Sequence, residues 1–245
     1  MKPAKNLKQE AMEHIHQMLQ SGQLGWGDRV SEEAIAQQIG ISRTPVREAL
    51  HIFCEMGVFR RLARFGTVVR IPEAREIEEL FEIRVALEGY AVAEAIKYIS
   101  PQEIARLEET CNRMRELDTE LLKNQSKRLS PENISTLYMA DHDFHLGIIR
   151  ATGNRMLLKN VSDNRMLTRL LSFRVSRFGE TNVSHIHAQH RAIFEAIQAK
   201  DGPKARELLE AHIRESKHGS VTDIKKELDA LAEKESQHLG LSEIY

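Results

Sequence analysis

Ser31-Glu32-Glu33-Ala34-Ile35-Ala36-Gln37-Gln38-Ile39-Gly40-Ile41-Ser42-Arg43-Thr44-Pro45-Val46-Arg47-Glu48-Ala49-Leu50 is the stretch on which the fold turns. Ile35, Ile39, Val46 and Leu50 supply the small core of a helix-turn-helix. Gly40 accepts the left-handed conformation that ends the first helix, and Thr44-Pro45 caps and starts the second. Arg43 then lies just before the second helix and Arg47 one turn along it. From the amino end of a helix in the major groove both reach base edges, where a guanidinium fork matches guanine O6 and N7. Working outward, a helix is predicted at roughly 5–21 before this stretch, and β-like runs near 58–62 and 66–71 after it. The hairpin carrying Arg64-Phe65-Gly66-Thr67-Val68-Val69-Arg70 is expected to be a wing, laid along phosphate or the minor groove.

The 245 residues are about 1.6 times a typical domain length, which makes two domains the expectation. Hydrophobic residues make up 41% and charged residues 29%, and mean hydropathy is -0.42. No apolar run approaches the roughly 18 residues of a membrane span, which excludes a membrane protein. Met1-Lys2-Pro3-Ala4-Lys5 leads into polar sequence with no apolar segment for export. Cys54 and Cys111 form no CxxC pair; this points to a reducing cytoplasm and away from a disulfide scaffold or thiolate zinc site. The net charge of -1 averages over domains and does not exclude nucleic acid. Residues 1–72 hold ten Lys/Arg against seven Asp/Glu, whereas residues 73–245 hold 25 against 29. Within the first segment Arg43, Arg47, Arg60, Arg61, Arg64 and Arg70 all follow the main acidic cluster, so a local basic face coexists with neutral bulk charge.

Prolines mark the organisation. Thr44-Pro45, Ser100-Pro101, Ser130-Pro131 and Gly202-Pro203 stand where helices can begin, because proline there gives up an amide that would have no partner. Ser100-Pro101-Gln102-Glu103 adds a capping box. Pro72 follows a β-like stretch and precedes a long helical pattern. The chain thus divides into a winged helix-turn-helix at 1–72, a helical domain at 73–220 and a helical tail at 221–245. Helices are predicted over 74–99, 101–124, 131–152, 154–176, 182–200 and 203–219, with a tail helix at 221–235. Loops are short except around 122–130, so the fold is mainly α, its second domain an antiparallel helical bundle.

Polar residues interrupt the apolar stripes of that bundle. Ile134, Leu137, Asp141, Phe144, His145 and Ile148 share one helical face, and Asp141 and His145 are adjacent on it. Ile186, His190, Ile193 and Ile197 form a second stripe; Ala205, Leu208, Leu209 and His212 form a third. Unpaired burial of such groups is costly. A lone buried histidine is more often a hydrogen-bonded core residue than a ligand, and His142, His185 and His187 lie equally close in sequence. One carboxylate and three imidazoles converging from three helices nevertheless suit a divalent ion of borderline hardness: zinc, nickel, cobalt or manganese. On the first bundle helix Ile77, Leu80, Arg84, Leu87 and Ala91 place a guanidinium inside. Arg84 is there either to meet an anionic ligand or to pair with Glu88 or another core acid.

Ser42-Arg43-Thr44-Pro45-Val46-Arg47-Glu48-Ala49-Leu50 closely resembles the recognition-helix signature of GntR-type bacterial transcription regulators. The resemblance implies base reading by Arg43 and Arg47, help from Ser42 and Thr44 at bases or backbone, and a wing contact at Arg64 and Gly66. Two positions depart from the pattern. Phe65 stands before the wing glycine where a basic residue or histidine is frequent, and Glu33 stands where some relatives carry arginine. Asp141-His142-Asp143-Phe144-His145, then Gly153-Asn154, His190-Arg191-Ala192-Ile193 and His212, resemble the FadR-type carboxyl-terminal domain. That resemblance implies a divalent metal on Asp141, His145, His190 and His212, a small carboxylate at its open position, and effector contact by Arg84. The chain is therefore expected to be a cytoplasmic, ligand-responsive repressor that binds a palindromic operator as a homodimer. The alternative is a metal-dependent hydrolase, since the same ligands could activate water; no HExxH helix or additional general base accompanies them.

Overall fold

The computed structural model describes residues 6–123, 129–172 and 183–240. The elements are α1 (Leu7–Gln20), β1 (Arg29–Val30), α2 (Glu32–Ile39), α3 (Arg43–Glu55), β2 (Phe59–Leu62), β3 (Gly66–Val69), α4 (Ala74–Ala95), α5 (Pro101–Lys123), α6 (Pro131–Ala151), α7 (Arg155–Leu171), α8 (Val183–Gln198) and α9 (Gly202–Gly240). Two compact units result: the described part of Met1–Ile77 with Met166–Ser176, and that of Glu78–Arg165 with Arg177–Tyr245. No helix among the described residues is long and apolar enough to cross a membrane.

In the first unit, Ala11, Ile15 and Leu19 recur every four residues on α1 and are fully buried, packing where α1 meets α2 and α3. Ile35 on α2 and Val46, Leu50 and Phe53 on α3 complete the core. Gly40 ends α2 at φ 70°, as its position demands, and Ser31 caps the other end by accepting from the Ala34 amide at 3.2 Å. The helix α3 starts earlier than Thr44-Pro45 predicts. Ser42 is its N-cap residue, Arg43 its first helical residue, and Pro45 its third, still within the turn whose amides lack intrahelical acceptors. The Ser42 hydroxyl makes no capping bond.

The wing is a three-stranded antiparallel sheet of order β1-β3-β2. β1 is absent from the sequence reading because two residues carry no alternation to detect. It pairs Arg29 with Val68 and Val30 with Thr67, so β3 of the predicted hairpin, Phe59↔Val69 to Leu62↔Gly66, becomes the central strand of a larger sheet.

In the second unit Ser100-Glu103 forms the predicted capping box: the Ser100 amide donates to Glu103 Oε2 at 2.8 Å, and the Glu103 amide to Ser100 Oγ at 3.3 Å. α6 is shared between two apolar groups. Leu137 and Ala140 pack with Met114, Leu117 and Val183, while Leu146 and Ile149 pack with Ala91, Leu157 and Val161. The face between them carries Asp141 and His145. Gly147 lets α6 approach α5, since a Cβ there would lie 2.8 Å from Leu107 Cδ2. No break separates the predicted helices 203–219 and 221–235; α9 runs through both. Gly219 costs a helix only about 1 kcal/mol, and Val221 and Ile224 continue the buried stripe past it. The predicted extensions to 124, 173–176 and 182 lie outside the described residues.

Candidate metal centre and nucleic-acid interface

Asp141 and His145 project from one face of α6, His190 from α8 and His212 from α9. Asp141 Oδ1 lies 3.3 Å from His190 Nε2, 3.6 Å from His145 Nε2 and 3.9 Å from His212 Nε2. One donor atom from each residue falls within 4.8 Å of all the others. Tetrahedral ligands with bonds of about 2.0–2.2 Å stand roughly 3.3–3.6 Å apart, so the four are spaced for a single ion.

Each imidazole is anchored through its other nitrogen. His145 Nδ1 meets Glu88 Oε2 at 2.5 Å, His190 Nδ1 donates to the Ile186 carbonyl at 2.8 Å, and His212 Nδ1 to Gln189 Oε1 at 2.9 Å. These acceptors fix the Nδ1–H tautomer and turn three Nε2 lone pairs toward Asp141. Nε2 of His145 and of His190 are buried without a hydrogen-bond partner among the described residues. Buried polar atoms are seldom left in that state, and a metal ion is the group that would satisfy both. Burial holds His212 well below the usual imidazole range. It is neutral, the form that binds metal. Burial alone would raise the Asp141 carboxyl, but the Arg165 guanidinium outweighs it and keeps the carboxyl well below its ordinary range. When bound, a divalent ion would supply a Lewis-acidic position for an oxygen ligand. The three histidine side chains are buried, and Asp141 alone among the four keeps an appreciable part of its side chain, 28%, accessible.

Glu88, expected from the sequence only as a partner for Arg84, and Arg165, absent from the sequence reading, complete this centre. Glu88 is fully buried; it accepts from Arg84 Nε at 2.7 Å and meets Arg165 NH1 at 3.4 Å as well as His145. Burial would raise its carboxyl, yet Arg84, His145 and Arg165 together hold it well below the carboxylate range. Arg165, from α7, also donates from NH2 to Asp141 Oδ2 at 2.5 Å, tying the two carboxylates together. Arg84, 8% exposed, thus adopts the pairing with Glu88 that the stripe on α4 left open. His185 and His187 stand apart, facing Glu215 at 2.8 Å and Asp118 at 4.0 Å.

In the first unit Arg43 and Arg47 are exposed at the start of α3, beside Ser42 and Thr44. Arg64 and Gly66 sit at the tip of the wing, with φ of 66° and 93°. The loop also brings up Arg29 from β1, whose guanidinium lies 6.0 Å from the exposed Phe65 ring. A non-glycine residue at positive φ costs about 1–2 kcal/mol. Arg64→Gly is accordingly expected to leave stability unchanged or raise it by up to about 1 kcal/mol, while weakening DNA binding uniformly across sequences. Thermal melts and titrations on unrelated duplex check the two halves.

The winged unit and the helical unit each match a known family. Bacterial regulatory proteins of the gntR family match residues 7–69, and the FCD domain matches residues 79–215. The chain belongs to the gntR family of regulators, in its FadR-like branch with an FCD domain. It is similar to the gluconate operon transcriptional repressor of Bacillus subtilis, 30% identical over 194 residues covering 74% of this chain and 71% of that protein. The Nta operon transcriptional regulator of Aminobacter aminovorans is 29% identical over 208 residues, 81% of this chain and 90% of that one. The solved structure of McbR/YncC from E. coli shares the fold, with a TM-score of 0.70 at 20% identity over 92% of this chain and 100% of that chain. The metalloenzyme alternative falls with this membership: the chain is a transcription regulator and not an enzyme.

Proposed function

We propose that this gntR-family protein is a homodimeric repressor whose FCD domain binds a divalent ion, of the zinc, nickel, cobalt or manganese type, together with a small organic acid. The observation that carries the reading is the convergence of three tautomer-fixed Nε2 atoms on Asp141 Oδ1. Residues 1–72 are the operator-binding domain, 73–220 the metal and effector domain, and 221–245 the tail. Ser42, Arg43, Thr44 and Arg47 contact the major groove, and Arg64 and Gly66 the flanking backbone or minor groove. Arg84 is the cation for the effector carboxylate. Support comes from its burial beside the centre, while its pairing with Glu88 is the competing structural role. The repressor sign is supported by the gluconate operon relative, a repressor by name. A two-fold symmetric dimer implies a palindromic site. An organic acid alters operator occupancy only as far as it binds the two packings of the bundle unequally.

Selection of binding sequences from random and genomic DNA, at stated salt and with metal bound, tests this function. Recovery of a short palindrome sustains it, and nothing above non-specific binding, with or without metal, removes it. Arg47→Ala is expected to cost about 1–3 kcal/mol on the selected site and to relax preference at one base pair. An unchanged affinity and sequence profile would show that α3 is not placed in the groove as proposed.

A further inference from the structure

The two arginines at the head of α3 share one carboxylate. Arg47 Nε donates to Glu32 Oε2 at 3.1 Å and to Oε1 at 3.4 Å, and Arg47 NH2 lies 3.1 Å from Oε2. Arg43 NH2 lies 3.8 Å from that same oxygen. The side chains of Arg43 and Arg47 remain 58% and 57% exposed, so the ion pairs add little to stability. What they fix is direction. A guanidinium has two bidentate edges, and Glu32 engages the Nε/NH2 edge of Arg47; the NH1/NH2 edge is the one suited to guanine O6 and N7.

We infer that Glu32 is a specificity-determining positioning residue, holding Arg47 by one edge so that the other meets a guanine in a set plane. The inference rests on the reading of Arg47 as a base contact. An unsupported arginine retains many rotamers and satisfies a phosphate as readily as a base edge. Held by Glu32, it loses that indifference. The same carboxylate places a negative charge among the phosphate-facing groups and lowers affinity for all DNA alike. Glu32 therefore acts with opposite sign on non-specific affinity and on base discrimination, which a residue that only stabilised α2 would not do. Glu33, exposed in the same helical turn, carries the same charge and has no arginine partner among the described residues.

The experiment uses full-length protein at fixed salt, with three duplexes: the selected operator, that operator changed at the base pair which Arg47→Ala relaxes, and unrelated DNA. Glu32→Ala is expected to lose roughly tenfold of the discrimination at that pair and to bind unrelated DNA more tightly, with a salt slope steeper by up to about one. Glu33→Ala should raise non-specific affinity and keep the discrimination. Glu32→Gln, which keeps one oxygen acceptor for the guanidinium and the bulk of the side chain, should be intermediate and covers the case of an unstable alanine variant. In an Arg47→Ala background, Glu32→Ala should change discrimination at that pair no further. If Glu32→Ala and Glu32→Gln keep wild-type discrimination while Arg47→Ala loses it, the role of Glu32 is overturned and the base contact stands. A further loss in the Arg47→Ala background overturns it too, by placing the action of Glu32 elsewhere. If Arg47→Ala itself keeps the discrimination, both fall.

Discussion

Glu88→Ala is expected to destabilise the helical domain by about 3–5 kcal/mol, read as a shift in the urea midpoint. The carboxylate is fully buried and faces two guanidiniums, Arg84 and Arg165, that are themselves 8% and 7% exposed. Its removal leaves Arg84 in the core without the carboxylate it pairs with and Arg165 with Asp141 alone, and leaves the His145 ring without the acceptor that orients it. Glu88→Gln keeps the shape and should fold, while weakening metal binding about 10–100-fold through the lost orientation of His145. The pH dependence follows from the direction of the shift. A carboxyl held below its unfolded value of about 4.5 contributes stability that is complete above that pH and is lost as pH falls toward its folded value. Wild-type protein should therefore lose stability on acidification below about pH 4.5, and Glu88→Gln should lose less of it there. A Glu88→Ala protein within 1 kcal/mol of wild type would mean that water reaches Arg84 and Arg165.

Removal of the divalent ion proposed for this site should have an effect of similar size. At free metal about 1,000 times its dissociation constant, an ion bound only by the folded state adds about 4 kcal/mol. Chelation should remove that increment, and His190→Ala and His212→Ala should prevent it from returning when zinc, nickel or manganese is restored. Thermal melts with and without each ion, alongside metal quantified per chain, make the comparison. Identical melts in every ion and no metal on the purified protein would show that the four side chains are a hydrogen-bonded polar core and nothing more.

Most of the architecture is written in local chemistry. Gly40, the Ser100-Glu103 box and the periodic stripes of α4, α6 and α8 each follow from one residue or one face and need no knowledge of the rest of the chain. The cluster of Asp141, His145, His190 and His212 was legible for a related reason: each is a polar residue at a position its stripe reserves for an apolar one. Arg165 obeys the same rule, since Leu157, Val161, Arg165 and Thr168 are spaced along one buried face of α7. The signal that singles out Arg84 is therefore present in α7 as well. Glu88 was legible only as a partner for Arg84; its contact with His145, 57 residues away, belongs to tertiary packing. β1 and the Glu32–Arg47 pair are of that second kind, because a two-residue strand has no period and an ion pair across a turn has none either. The continuity of α9 beyond Gly219 was hidden because one glycine weakens a helix without ending it.

The start of α3 differs from the starts of its neighbours. α1, α2 and α6 each close their first turn with a side chain from Asn6, Ser31 or Ser130, whereas α3 leaves Ser42 uncommitted. Pro45 deletes one of the amides that would have needed an acceptor, and those of Arg43 and Thr44 point along the helix axis with its positive end. A phosphate placed there would complete the turn. Operator binding and local helix order then become one equilibrium. The Arg43 and Thr44 amides should exchange with solvent deuterium readily in the free protein and slow markedly on the operator, while the already capped start of α2 barely responds.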